Sequence, residues 1–188
     1  MVYLVKRGEK FFTTSAKGFT PKDSVGLVPQ NIAVEDYPYL TASQSNDPET
    51  GQPVWNITVD ATAKANALAE QSKKDDIATA YKTMSDEVDA KLYEVFRTLK
   101  PEYATAEWNT WNDMVKRPAS YAGLGLKIDH QLDDAQGTEL FSPGSALDTA
   151  EKITQYATRK IALAEEYGTY RVQRIQQFKN EKKQILES

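Results

Sequence analysis

Residues 61–99 read ATAKANALAEQSKKDDIATAYKTMSDEVDAKLYEVFRTL and contain neither proline nor glycine. Helix-forming residues dominate this stretch, so the sequence predicts one long helix, or two nearly continuous ones with a restart at residues 72–75. An apolar stripe follows it in steps of three and four, an eleven-residue rhythm that favours straight or slightly right-handed helix pairing over a heptad coiled coil. Its members are Ile77, Tyr81, Met84, Val88, Leu92, Val95 and Leu99.

Two further helices are expected after this one. Lys100-Pro101 should end the first helix, because proline breaks a helix interior and suits a first turn, here that of a helix over residues 102–116. Residues 118–146 contain several glycines and prolines and are interpreted as a long connection. The third helix is expected over residues 148–187. Its start, Asp148-Thr149-Ala150-Glu151, has a capping-box-like spacing in which the aspartate accepts hydrogen bonds from the first turn.

The two long helices differ in charge. Residues 61–150 carry ten basic and fifteen acidic side chains, whereas residues 151–188 carry eight basic and five acidic ones. Complementary charge favours antiparallel packing of the first helix on the third. Two unbroken helices of this length predict an elongated molecule.

Residues 1–60 have a different composition, rich in proline and β-branched residues. Two β-rich runs, residues 2–5 and 11–14, flank a loop containing Gly8 and predict a hairpin. The chain that follows, through Phe19-Thr20-Pro21 and up to Pro53, is expected to be irregular and largely extended because prolines remove backbone donors. Residues 54–59 alternate apolar and polar positions and predict one half-buried strand.

The predicted fold class is therefore mainly α. We expect an elongated helical bundle or hairpin over residues 61–188 and a β-containing, partly extended N-terminal arm over residues 1–60. An irregular arm has little core of its own, so we expect it to be stabilised by lying on a partner.

Composition excludes several classes of function. The 23 basic and 27 acidic side chains give a net charge of −4, which disfavours nucleic acid or an anionic membrane as a partner. The absence of cysteine removes thiolate nucleophiles, iron–sulfur clusters and cysteine-containing zinc sites. We expect no cofactor and no metal, and neither an export signal nor a membrane-spanning segment is recognised.

The single histidine, His130, lies among carboxylates in the stretch from Lys127 to Asp134. In a small hydrolase, Asp129 or Asp133 would orient the imidazole while a serine or a water attacks. No Gly-x-Ser-x-Gly motif accompanies it, and the acidic run lacks the glycine and terminal glutamate of a calcium loop. A solvated polar loop is the preferred interpretation, and no catalytic residue is assigned.

The last helix carries a predicted assembly surface. Gly168 lies on its apolar stripe, where the missing side chain would allow a neighbouring helix to approach closely; the alternative is a helix end or kink at this position. The basic residues of this helix are interrupted by glutamates, which favours a protein partner over nucleic acid. The predicted interface residues are Ile161, Ala164, Gly168, Val172 and Ile175.

This layout resembles a class of small tailed-bacteriophage proteins associated with tails and tail fibres, some of them virion components and some assembly chaperones. The resemblance rests on the N-terminal hairpin, the Pro-rich segment Asp47-Pro48-Glu49-Thr50-Gly51-Gln52-Pro53-Val54-Trp55, the Ala-rich helices with tryptophans and the closing helix around Tyr170-Arg171-Val172-Gln173-Arg174-Ile175. The resemblance includes no catalytic motif.

What it implies is a structural role. We expect a subunit of a tailed-phage virion, in the tail or fibre-attachment region, that is made in the bacterial cytoplasm and binds other virion proteins and itself. The alternatives are a tail-fibre assembly chaperone and, from another class, a small hydrolase that uses His130.

Overall fold

The computed structural model describes residues 1–7, 9–17 and 20–188. The protein is mainly α, as predicted, and contains α1 (Ala61–Phe96), α2 (Pro101–Lys116), α3 (Pro118–Ala122) and α4 (Ala150–Glu187). The chain groups into two compact units, Met1–Asp75 and Asp76–Ser188, so that α1 begins in one unit and ends in the other.

The N-terminal unit contains five strands, β1 (Val2–Arg7), β2 (Lys10–Ser15), β3 (Ser24–Leu27), β4 (Leu40–Asn46) and β5 (Pro53–Val59). The first three form an antiparallel sheet in the order β2-β1-β3, and β4 pairs with β5. The predicted β1–β2 hairpin is confirmed, although Gly8 in its turn lies outside the described residues.

The prediction of irregular chain before residue 53 is wrong for β3 and for residues 34–46, and Phe19 in this stretch lies outside the described residues. A 3-10 helix at Val34–Tyr39 leads into β4, which pairs with β5 along its whole length. The proline of the connecting turn, Pro48, stands where no ladder donor is needed. The Asp47 carboxylate accepts the backbone N–H groups of Glu49 and Thr50, and Gly51 supplies a φ of 69°. The hydrogen bonds of Asp47 and the conformation of Gly51 therefore allow a β4–β5 hairpin, although the proline content of this segment disfavours regular strands.

The N-terminal unit also has a core of its own, which corrects the expectation of an extended arm. Leu4, Val28 and Leu40 are buried together. Apolar side chains from every strand of the unit pack around them: Val2, Phe11, Val25, Ala42, Ile57 and Val59. This part of the chain therefore does not depend on a partner to bury its apolar residues.

In the second unit, α1 ends three residues before the predicted Leu99. Arg97 adopts a left-handed φ of 55°, and its N–H donates a hydrogen bond to the carbonyl of Tyr93. The helix therefore ends at Phe96, and Pro101 is not the residue that ends it. No break occurs at residues 72–75. A non-glycine residue in this conformation costs about 1 kcal/mol, and an arginine is not one of the residues that mark a helix end in a sequence.

The start of α4 differs from the prediction by two residues, and its N-cap by one. Thr149, not Asp148, is the N-cap, and its Oγ1 accepts the backbone N–H of Lys152 at 3.2 Å. The Asp148 carboxylate binds Lys152 Nζ instead, at 2.8 Å. The helix therefore begins at Ala150.

The segment 118–146, interpreted as a long connection, joins α2 to α4 and is also part of the core. It contains α3, β6 (Leu132–Asp133) and β7 (Glu139–Phe141), and its apolar residues Ile128, Leu132 and Phe141 are buried. They belong to one cluster with residues of α1, α2 and α4, including Val95, Trp111, Ile153 and Ala157.

Candidate protein-binding groove

Within the second unit, α1 contacts α4 in antiparallel order, as the opposite charges of the helices predict. The contacts are made by large side chains, because few backbone positions of the two helices come close. In order along α1 they are Tyr81 with Phe178 (ring centroids 5.7 Å apart), Glu87 with Arg174 (an ion pair) and Phe96 with Tyr167 (6.3 Å).

A groove of about 830 Å³ lies between these two helices and the N-terminal part of α2. Its lining is mainly apolar, and the stripe predicted on α1 lines one side. Side chains that line it include Tyr81, Met84, Val88, Leu92, Trp108 and Ile175. A concave apolar surface of this size is typical of a ligand-binding cleft or of a groove for an amphipathic helix.

The groove exists because the core covers only part of α4. Ile153, Ala157, Lys160 and Ala164 are buried, whereas beyond Ala164 only Arg174 is buried. Both α2 and α3 contact α4, and the apolar residues of these two helices pack in or against a cluster whose last buried α4 residue is Ala164. Among the described residues, the ring contacts and the interhelical ion pair of α4 beyond Ala164 are made with α1, and two helices by themselves leave much of their apolar stripes open.

Charged residues line the rim of the groove. Asp89 lies on the α1 side, and Arg171 and Lys179 lie on the α4 side. All three are exposed, and within the described residues none of them has a salt-bridge partner. By contrast, Arg174 on the same helix is held by both Glu87 and Glu181. The rim therefore presents one negative and two positive groups that are available to a partner.

The five predicted interface residues have different environments. Ala164 and Ile175 line the groove, and Ile161 packs partly buried against the core cluster. Val172 is 69% exposed. Gly168 is also exposed, and a Cβ placed on it would meet no atom within 4 Å. Since α4 is continuous through this position, the alternative of a helix end at residue 168 is wrong, and no other helix among the described residues approaches Gly168 closely.

A buried lysine is the main feature that sequence reasoning missed. Lys160 is 2% exposed, its Nζ donates a hydrogen bond to the carbonyl of Val95, and it lies 4.8 Å from the centre of the Trp111 ring. Burial lowers the pKa of the Lys160 ammonium to about 8. Val95 lies in the last turn of α1, whose carbonyls have no intrahelical partner, so Lys160 caps α1 from α4. Its position three residues from Ala157 and four from Ala164, on the apolar stripe, was the available signal.

His130 is not the solvated loop residue that the sequence indicated. Its side chain is 15% exposed, and its Nδ1 lies 2.5 Å from a carboxylate oxygen of Asp129. That hydrogen bond lowers the pKa of Asp129. His130 lines a small cavity of about 160 Å³ together with Arg97, Arg159 and Lys160. The burial follows from Ile128 and Leu132, which anchor both sides of the loop in the core.

Among the described residues, no cluster of three or more His, Cys, Asp or Glu side chains has the arrangement of a metal site. Within residues 1–7, 9–17 and 20–188, no helix has the length and apolar character needed to cross a membrane.

Comparisons of the chain with models of protein families, with curated proteins and with solved structures found no match.

Proposed function

We propose that this protein is a non-enzymatic structural subunit of a tailed-phage virion, in the tail or fibre-attachment region, and that it acts by protein–protein assembly. The observation that carries the proposal is the apolar groove between α1, α2 and α4, whose rim charges have no partner in the described chain. The phage setting rests on the sequence resemblance alone.

In this proposal α1 and α4 form a helical hairpin that a partner completes to a bundle. The packed half of α4 fixes the hairpin, since Ile153 and Ala157 are fully buried against the rest of the unit. The open half offers apolar side chains at helical spacing, the arrangement that groove-binding helices recognise. Rigid presentation of such a surface lowers the ordering cost of binding, which suits a subunit that is built into a larger assembly.

The test uses particles purified from the phage or host strain that carries the gene. We expect quantitative mass spectrometry to find the protein in intact particles at a fixed ratio to a known structural protein, and antibody labelling to place it on the tail. A chaperone would be present in the lysate and absent from purified particles. Absence from both particle and assembly intermediates would contradict a virion role of either kind.

A variant with a blocked groove makes the test specific. Val88→Arg introduces a large charged side chain into the groove lining at a half-buried position. We expect this variant to keep its helical circular dichroism and to be excluded from particles. The matched control is Thr83→Arg on the exposed surface of the same helix, which should be incorporated normally. Equal incorporation of both variants would show that the groove is not the assembly surface.

A further inference from the structure

We infer that the partner in the groove is a second copy of this chain, and that α1 and α4 of two copies form an intermolecular four-helix bundle. The inference rests on the proposed assembly function and names the partner for it. Three observations support it: the opposite charge of the two helices, the rim residues without partners, and the bare surface at Gly168.

The helix stretches that border the groove carry opposite charge. Residues 76–96 of α1 have two basic and five acidic side chains, a net charge of −3. Residues 164–187 of α4 have five basic and four acidic ones, a net charge of +1. Each helix is therefore attracted to the other type and repelled by its own type.

This charge pattern selects one arrangement of two copies. In each copy α1 and α4 are antiparallel. If a two-fold axis runs parallel to the helices, each α1 lies between its own α4 and the α4 of the other copy, and all four neighbouring pairs are antiparallel and opposite in charge. If the axis is perpendicular to the helices, like helices face each other and like charges meet. The first arrangement is the one that we propose.

The rim residues acquire partners in that arrangement. Asp89 lies on α1, and the two unpaired cations Arg171 and Lys179 lie on α4. Within one chain Asp89 and Arg171 both lie near Tyr167, yet they form no salt bridge across the groove. A second α4 placed beside α1 brings an Arg171 to each Asp89. Charged pairs at the edge of an apolar interface mainly determine which partner and which orientation is accepted.

The α4 surface next to the groove also fits a second helix. Gly168 has open space where its side chain would be, and Val172, one turn further, is 69% exposed. A glycine in the interior of an exposed helix costs about 1 kcal/mol relative to alanine. Close packing of a helix from another copy would offset that cost, because two helices can approach each other more closely at a glycine.

The experiment measures the mass of the full-length chain by sedimentation equilibrium or by light scattering during size-exclusion chromatography. We expect the wild-type chain to be a dimer. Asp89→Lys and Arg171→Glu should each raise the dimer Kd at least about tenfold, because each reversal replaces two symmetry-related attractions by repulsions. The matched control is Asp86→Lys, three residues away on α1 and outside the groove, where only an exposed pair with Lys82 is lost.

Mixing the two single variants gives the decisive measurement. Each variant alone has repulsive contacts, whereas a heterodimer of Asp89→Lys with Arg171→Glu has attractive contacts at both symmetric positions. We expect the mixture to restore dimers at concentrations where each variant alone is monomeric. Were like helices to face each other, the wild-type chain would already contain the repulsions, and single reversals would leave the Kd unchanged. Arg171→Asp serves as the second variant if Arg171→Glu does not fold, as judged by circular dichroism.

Two results would overturn the inference. One is a wild-type chain that stays monomeric at ~100 µM, a concentration at which a dimer of micromolar Kd is formed. The other is a wild-type dimer for which Asp89→Lys and Asp86→Lys behave alike. A monomer that is nevertheless incorporated into virions would overturn the second-copy inference and leave the proposed function standing, with the groove bound by a different protein. A dimer that is absent from particles and from assembly intermediates would overturn the proposed function and leave the second-copy inference standing.

Discussion

The two halves of α4 belong to the same helix and have very different surroundings. Ile153 and Ala157 in the first half are 0% exposed and are enclosed by α2, α3 and the segment that contains β6 and β7. Ile175 and Phe178 in the second half line an open groove that α1 and the N-terminal part of α2 also border. Both halves carry apolar residues at helical spacing. An apolar stripe therefore shows which face of a helix is buried, but it does not show whether residues of the same chain or of another chain pack against that face.

The largest expected difference between the two halves is in the cost of removing one isoleucine. Ile153→Ala should lower the free energy of unfolding by about 2–5 kcal/mol, because it leaves a cavity in a fully packed core. Ile175→Ala should cost about 1 kcal/mol, since the open groove allows water to replace the lost side chain. Urea unfolding of both variants at one fixed protein concentration gives the comparison.

Concentration dependence sharpens this result. If a second copy covers Ile175, the cost of Ile175→Ala should increase with protein concentration, because association stabilises the folded state. The cost of Ile153→Ala should not change. If Ile175→Ala and Ile153→Ala cost the same free energy of unfolding at every concentration, the second half of α4 is as well covered as the first half within a single chain.

The helical part of the fold could be predicted because its signals are local. Residues 61–99 lack helix breakers, and Pro101 marks the next start. The features that were missed depend on interactions distant in the sequence or on a single backbone conformation. Arg97 ends α1 in a left-handed conformation, which the residue type arginine does not predict. Ile128, Leu132 and Phe141 are spaced irregularly, so their burial became visible only in three dimensions.

The candidate site was predictable only in part. The α1 stripe and the groove residues Ala164 and Ile175 follow from spacing, but a groove is formed by the distance between two helices, which no single stripe encodes. Lys160 was grouped with the basic residues of α4, and its burial against Val95 depends on where α1 ends. In the N-terminal unit, the prolines indicated irregular chain, whereas the Asp47 turn places Pro48 outside the ladder.

The packed half should also be distinguished by its pH dependence. The pKa of Lys160 is lowered from 10.5 to about 8 by burial, with a further lowering by Arg97 that Glu107 and Asp129 oppose. Between these pH values the unfolded chain binds more protons than the folded one, so stability should rise as the pH increases from about 8 to about 10.5. The difference corresponds to about 3 kcal/mol at most.

The variant Lys160→Met removes this contribution and keeps most of the side-chain volume. Its stability should lack the rise that the wild-type chain shows over this pH range, whereas an exposed control such as Lys182→Met should retain it. Chemical denaturation at pH 7.5, 9 and 10 measures the effect. The comparison stops near pH 10, because the pKa of Tyr156 is raised to about 12 by burial and reverses the trend above that pH. Parallel curves for wild type and Lys160→Met would show that the lysine is solvated.

A smaller effect is expected at the beginning of the packed half. Thr149→Ala removes the side-chain acceptor for the N–H of Lys152 and should cost about 1 kcal/mol. Asp148→Ala should cost less than Thr149→Ala, because the pair of Asp148 with Lys152 is exposed on both sides. Thermal unfolding of both variants compares them directly. The opposite ranking would make Asp148 the functional cap, as the capping-box spacing first indicated.

The smallest effect concerns Gly168 in the open half, and it has the opposite sign. In the monomer, Gly168→Ala should raise the free energy of unfolding by about 0.5–1 kcal/mol, because alanine restricts the unfolded chain and its methyl group meets open space. Measurements at low protein concentration, where any dimer is dissociated, test this. At high concentration Gly168→Leu should instead weaken association, because a bulky side chain separates two helices that pack closely at this position. Val172→Ala is the size control on the same exposed surface, and it should change association less than Gly168→Leu does. If Gly168→Leu stabilises the protein equally at both concentrations and the dimer persists, no helix packs on Gly168, and the contact between copies must be made by other residues of the groove.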